Sequence, residues 1–278
     1  MVTRQQWWQT AQERLRQAGC EDAAFDALCL LEDRGGLPRG RRPDDTPLEE
    51  SALTELNAAL AKRADGYPLQ YLLGEWDFLD LTLRVGEGVL IPRPDTEVLC
   101  EAVAARLGPS SRVLDLCAGS GCVGLGVASL RPDVTVTAVE LSEQALVYLQ
   151  ENVARYPRLQ VSPRRGDVLT DAADYPVGYE AVVSNPPYIP TGDLDGLMRE
   201  VQHEPRMALD GAEDGLLFYR VIADEWTTRL VPGGVCAVEV GAGQAPDVAA
   251  LFAAAGLVDV TVIPDYAGID RVVLGVKK

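Results

Sequence analysis

Histidine is almost missing from this chain: His203 is the only one in 278 residues. A histidine-built metal site is thereby excluded, and a histidine general base is argued against. Six cysteines occur, Cys20, Cys29, Cys100, Cys117, Cys122 and Cys236, but none forms a C-x-x-C pair. Most sit in apolar surroundings and read as buried free thiols of a reducing compartment. No apolar run approaches membrane-spanning length, and the opening MVTRQQWWQTAQ lacks the apolar stretch of a secretory signal. No internal repeat is visible. Positive charge is scarce, with 25 Lys and Arg against 42 Asp and Glu, for a net charge of −17. Such a chain repels a phosphate backbone unless its charges segregate, and it has no Lys/Arg-rich arm. Direct nucleic-acid binding is disfavoured; a basic protein surface or a cationic small molecule is an easier partner.

What is present is a core. Hydrophobic residues make up 47 % of the chain, and only the Arg/Asp-rich segment 33–46 has a disorder-like composition. Residues 1–74 read as helices. Thr3 and Gln6 fit a capping box that opens a helix over 3–18, which Gly19 stops. A second apolar stripe runs through Ala24, Phe25, Leu28 and Leu31. Thr46-Pro47-Leu48-Glu49 is a further start signal, for a helix reaching Ala64, and Gly66-Tyr67-Pro68 breaks it before a short turn to Leu73. Residues 75–92 alternate as a small hairpin around Phe78, Leu79, Leu81 and Leu83, a connector between two domains. Over 93–278, after a helix that follows IPRPDTEVL, strand, Gly-rich turn and helix alternate, which predicts an α/β domain with a mostly parallel sheet covered on both faces. Seven strands are expected, 113–117, 135–140, 160–163, 181–184, 235–240, 258–263 and 271–276, with helices between them around 122–129, 143–156, 215–230 and 246–255. Only PDYAGID separates the last two, too little for a crossover helix, so they should pair antiparallel.

VLDLCAGSGCVGLGVA carries the first chemical signal. An apolar strand ends at Asp115, and a loop with Gly119, Gly121 and Gly124 opens a helix. The spacing formally satisfies a dinucleotide fingerprint. Yet Asp115, four residues before the first glycine, would repel a pyrophosphate and suits an α-amino group. That favours S-adenosylmethionine, which carries a zwitterionic tail and no phosphate. Glu140 ends the next strand, placed to accept both ribose hydroxyls. Asp167, in RRGDVL, falls where an adenine 6-amino group could donate to it. Each carboxylate alone is an ordinary strand-end acid; the three together at these intervals are a site. Cys117 and Cys122 read as small apolar fillers.

The second signal is SNPPYIP after the run YEAVV. It lies at the carboxyl edge of the sheet, where open α/β sheets bind ligands. A planar amide or aromatic amine is a poor nucleophile because its lone pair is delocalised. Asn185 offers a side-chain carbonyl, and Pro186 a backbone carbonyl fixed by the ring. Two acceptors can grip an NH2 group and stabilise the positive charge that develops on nitrogen. Pro187 and Tyr188 offer a flat surface for stacking. A sulfonium already carries the activating charge, so this chemistry calls for no metal.

NPPY after DLCAGSG resembles the class I S-adenosylmethionine-dependent methyltransferases that modify planar nitrogens. PLQYLLGEWDF, LIPRPDTEVL, SNPPYIP, HEPRMALDGAEDGLLFYR and DYAGIDRVVLG resemble, more narrowly, the peptide chain release factor glutamine-N5 methyltransferases, over residues 68–278. The resemblance implies a Rossmann-like seven-stranded sheet with a small N-terminal helical domain that docks substrate. It implies methyl transfer to the Gln of the Gly-Gly-Gln motif in bacterial class I release factors 1 and 2, by a cytoplasmic monomer that binds no membrane. By the same resemblance, Gly119, Ser120, Gly121, Cys122 and Val123 hold the cofactor, with Glu140 on the ribose, Asp167 and Val168 on the adenine, and Asn185 to Tyr188 on the glutamine. Many relatives carry Asp in place of Glu140, and some an aromatic in place of Val168. Arg93 either guards the pocket mouth or pairs with Asp95 or Glu97, and Glu204 is a further candidate near the acceptor. Alternatives are a ribosomal-protein glutamine methyltransferase, an adenine-N6 nucleic-acid methyltransferase, which needs a basic face, and a non-catalytic adenosine-binding module, which has no use for Asn185 beside two prolines.

Overall fold

A computed structural model describes all residues, 1–278. It contains two compact units: Met1–Glu75 with Met198–His203, and Trp76–Leu197 with Glu204–Lys278. No helix is long and apolar enough to cross a membrane.

In the first unit, α1 (Arg4–Gln17) opens on the expected capping box, with Thr3 and Gln6 each bonding the other's backbone N–H. α2 (Ala23–Arg34) differs from the sequence reading. Its buried face is Ala23, Asp26, Ala27, Leu30 and Leu31, while Phe25 is 50 % exposed. The face is rotated because it carries a buried ion pair: Arg63 Nε donates to Asp26 Oδ2 at 2.6 Å. Arg63 Nη2 also lies 2.7 Å from Glu200 in the returning segment. α3 (Glu50–Ala64) starts later than Thr46. Residues 46–48 are extended instead, because Arg4 N–H donates to Thr46 O and Leu48 N–H to Val2 O, with Thr3 and Pro47 bridged antiparallel. Those backbone groups are spent on pairing and cannot open a helix. α4 (Leu69–Leu73) completes the unit.

The second unit begins at Trp76, within the strand β1 (Glu75–Phe78), which is followed by β2 (Leu81–Arg84). Phe78, Leu81 and Leu83 are buried in the same core as Val113, Leu125 and Val136, so the hairpin is packed into this unit. Then follow α5 (Asp95–Ala104), β3 (Arg112–Leu116), α6 (Cys122–Leu130), β4 (Thr135–Glu140), α7 (Glu143–Arg155), β5 (Gln160–Arg165) and β6 (Tyr179–Ser184). The chain ends with α8 (Leu217–Asp224), β7 (Leu230–Glu239), α9 (Ala245–Ala254), β8 (Leu257–Pro264) and β9 (Asp270–Lys277). α8 is shorter than the 215–230 expected; its last turn gives way to a 3-10 turn at Trp226–Arg229, where buried Trp226 donates its indole N–H to Val168 O.

The sheet order is β5-β4-β3-β6-β7-β9-β8. β3 to β7 and their neighbours β4, β5 and β6 run parallel, and β9 is antiparallel to both β7 and β8, as the short connection required. One face is covered by the hairpin and α5 to α7, the other by α8, the 3-10 turn after it and α9, through Tyr219, Trp226 and Phe252 respectively. The strand order reverses between β3 and β6, which opens a crevice at their carboxyl ends. Register sets what meets there: Leu116 pairs with Val139 and Ser184, and Ser184 pairs with Val238. Glu140, Asn185 and Glu239 therefore end up along one edge.

Candidate active site

A cavity of 480 Å³ lies on that edge. It is lined from the second unit alone, and its lining includes Gly119, Ser120, Cys122, Val123, Glu140, Asp167, Val168, Asn185 and Pro187. Sequence reasoning thus brought nine residues to one place. Asp115, Gly121, Pro186 and Tyr188 do not line it.

The turn from β3 to α6 shapes one wall. Cys117 adopts φ 56, a left-handed conformation that costs a non-glycine residue about 1 kcal/mol or more. Gly119 follows at φ 55, and a Cβ there would meet nothing nearer than Val89 Cγ2 at 4.0 Å. Its bare backbone is a cradle that a side chain would fill. Gly121 is required for another reason: at φ 85, an added Cβ would stand 2.5 Å from Leu149 Cδ1.

Asp115 corrects an expectation. It is 0 % exposed and braces the turn from behind, its Oδ2 accepting from Gly124 N–H at 2.9 Å. Burial raises its carboxyl to about 8. Its Oδ1 is buried without a partner. The acid faces inward because the first helical N–H groups of α6 need an acceptor.

Glu140 stands at the cavity with both oxygens oriented by backbone: Oε2 accepts from Gly119 N–H and Oε1 from Ser142 N–H, each at 2.7 Å. Burial raises its carboxyl, and those N–H bonds oppose the rise. Each oxygen keeps a lone pair for a hydroxyl. Asp167 lines the far end, with Oδ1 taking Leu169 N–H at 2.9 Å. The open cradle at Gly119, the spare lone pairs of Glu140 and mostly apolar walls fit a nucleoside with a short zwitterionic tail.

At the other wall, Asn185 Nδ2 donates to Thr96 Oγ1 at 3.2 Å. Tyr188, expected as a stacking face, is turned away. Its hydroxyl donates to Glu239 Oε1 at 3.4 Å, and its carbonyl accepts from Gln244 Nε2 at 2.9 Å. A buried phenol seeks a polar partner, and the carboxylate supplies one. Pro187 and, unforeseen from sequence, Phe218 give the flat lining. Arg93 pairs with neither Asp95 nor Glu97. It donates to Glu204 Oε1, while Glu204 Oε2 takes Ile91 N–H at 3.0 Å. Both Arg93 and its neighbour Ile91 line the cavity. Sequence reasoning also missed Thr96 and Glu239. Glu239 carried a signal, an acid ending an apolar strand as Glu140 does; Thr96 carried none.

Such a sheet, with its antiparallel last pair and a cavity over the β3–α6 turn, defines a class I methyltransferase. Residues 94–210 match the Methyltransferase small domain, and residues 6–74 match the PrmC N-terminal domain. The chain belongs to the family of release factor glutamine methyltransferases. The Caulobacter vibrioides protein of that name is 40 % identical over 276 residues, 97 % of this chain and 95 % of that protein. The Geobacter sulfurreducens one is 40 % identical over 94 % of this chain and 92 % of that protein. Among solved structures, a methyltransferase from Pyrococcus furiosus shares the fold with a TM-score of 0.54 at 17 % identity, over 72 % of this chain and 90 % of that chain. A 16S rRNA N2 methyltransferase of Thermus thermophilus does so at 0.53 and 22 %, over 73 % and 50 %.

Proposed function

We propose that this chain methylates the side-chain amide nitrogen of the Gln in the Gly-Gly-Gln motif of release factors 1 and 2, with S-adenosylmethionine as donor. The observation that carries the reading is that Asn185 and Pro187 share one cavity with Glu140 and Asp167. The nearly full-length likeness to proteins named release factor glutamine methyltransferase supports the substrate.

Glu140 would hold the ribose hydroxyls, Asp167 and Val168 the adenine, and Gly119 to Val123 the amino-acid tail. When bound, the cofactor supplies a methyl group made electrophilic by a positively charged sulfur. Asn185 Oδ1 takes an N–H group of the glutamine amide, which orients the nitrogen lone pair and stabilises the charge it gains; the Pro186 carbonyl, expected as a second acceptor, lies outside the cavity lining. Pro187 packs on the amide plane. The nitrogen releases its extra proton after transfer, so no strong base is needed. Positioning supplies most of the acceleration. The helical unit, 1–74, serves to dock the release factor, and the enzyme works in the cytoplasm as a monomer.

The test offers release factor, ribosomal proteins and DNA together with tritiated S-adenosylmethionine. Label should enter release factor and vanish when its Gly-Gly-Gln glutamine is changed to Ala. Label in DNA or ribosomal protein alone refutes the reading.

A further inference from the structure

An asparagine carboxamide has two chemically opposite ends, and the function proposed above needs its carbonyl turned to the guest. The choice is made behind the cavity wall. Thr96 Oγ1 donates its proton to Glu239 Oε2 at 2.6 Å; the two residues are 1 % and 2 % exposed. A hydroxyl has one proton to give. Once the carboxylate has taken it, Thr96 can offer Asn185 only lone pairs, and only the Nδ2 end can answer them. That is the contact observed, at 3.2 Å. Oδ1 is then the end left for the cavity.

Glu239 is itself fixed. β7 lies beside β6, with Val238 opposite Ser184, so Glu239, the last residue of β7, is set next to Asn185, the first residue after β6. Tyr188 O–H reaches the second carboxylate oxygen, and Tyr219 O–H bonds the Glu239 backbone carbonyl at 2.9 Å. Arg271, anchored on Asp265 at 3.1 and 3.2 Å, lies nearby on β9.

We propose that Thr96 and Glu239 are a positioning pair that sets the orientation of the Asn185 carboxamide, and through it the acceptor nitrogen. This rests on the reading of Asn185 as the group that grips the glutamine.

The pair makes the site sensitive to pH. Burial raises the Glu239 carboxyl to about 7, against the Thr96 hydrogen bond and the Arg271 charge, and Asp95 on α5 adds to the rise. The other titratable groups that face it are the phenols of Tyr188 and Tyr219 and the thiols of Cys100 and Cys122, all held neutral by burial. A protonated Glu239 becomes a donor to Thr96. The threonine proton is then free to turn to Asn185, and the preference for one end of the carboxamide is lost. Turnover should fall as pH falls through the Glu239 titration.

The test uses the full chain, S-adenosylmethionine and release factor, at about pH 6 to 9. Thr96→Val removes the hydroxyl and keeps the shape; it should lower kcat about tenfold, the worth of one good hydrogen bond, with cofactor affinity unchanged. Thr96→Ser should restore most of the loss. Glu239→Gln should lower kcat and erase the acidic limb of the pH profile. A Thr96→Val enzyme with parental kcat, or a Glu239→Gln enzyme that keeps the limb, overturns the pair. If Thr96→Val melts early, the Thr96→Ser and Glu239→Gln profiles decide. The side-chain amide signals of Asn185 in nuclear magnetic resonance, assigned with Asn185→Asp, separate this inference from the function. They should shift with pH in the parent and not in Glu239→Gln, even if no methyl reaches release factor; signals that ignore both pH and the substitution sink the pair alone.

Discussion

On the function proposed above, Asn185 acts through one carbonyl oxygen. Asn185→Ala should cost turnover roughly two orders of magnitude, about 3 kcal/mol of positioning and charge stabilisation, while cofactor affinity changes little. Steady-state kinetics with calorimetry checks both; lost cofactor binding would mean that the residue serves the donor side. Asp115 makes a separate prediction about stability. Its carboxyl is raised by burial to about 8, and that of Glu239 to about 7. Both groups bind protons more tightly folded than unfolded. Between about pH 4 and 8 the folded chain therefore holds more protons, and stability falls as pH rises through that window. Asp115→Asn should flatten this slope, seen as a smaller melting-temperature difference between pH 6 and 8. An unchanged slope would show that the buried acid is not titrating there.

At the scale of elements, the β3–α6 turn is the most constrained piece. Its shape needs a left-handed Gly121 pressed against Leu149. Gly121→Ala meets both obstacles and should cost about 1–3 kcal/mol of stability. On the proposed function it should also weaken S-adenosylmethionine binding, because the backbone assigned to the amino-acid tail must shift. Thermal melting and equilibrium dialysis read the two effects; a variant with parental values in both would remove the close-packing argument. Element identity came from local pattern, but element edges did not. α3 lost its first turn to pairing with residues 2–4, and α8 ended early so that Trp226 reaches Val168.

Across the whole molecule, the contacts that count most join distant parts of the chain. Asp26, Arg63 and Glu200 meet in the first unit, with the Asp26–Arg63 pair almost fully buried. Arg63→Ala leaves Asp26 buried and unpaired, and should cost about 3–5 kcal/mol. Replacing both partners, Asp26→Leu with Arg63→Met, should recover most of that loss in denaturant titrations. If the double variant is no better than the single one, the loss is of packing rather than of charge.

The sequence by itself determined the alternation of strand and helix, the capping box at Thr3, the antiparallel last pair and the placing of Glu140, Asp167 and Asn185 along one edge. These follow from period, turn chemistry and strand ends, which neighbours in the chain decide. Tertiary structure alone decided that Asp115 faces inward, that Tyr188 turns to Glu239, that Arg93 meets Glu204, and that Thr96 stands between Glu239 and Asn185. Thr96 and Glu239 are 143 residues apart. A hydrogen bond over that distance depends on the register of β6 against β7 and on how α5 packs over them, and no local pattern encodes either.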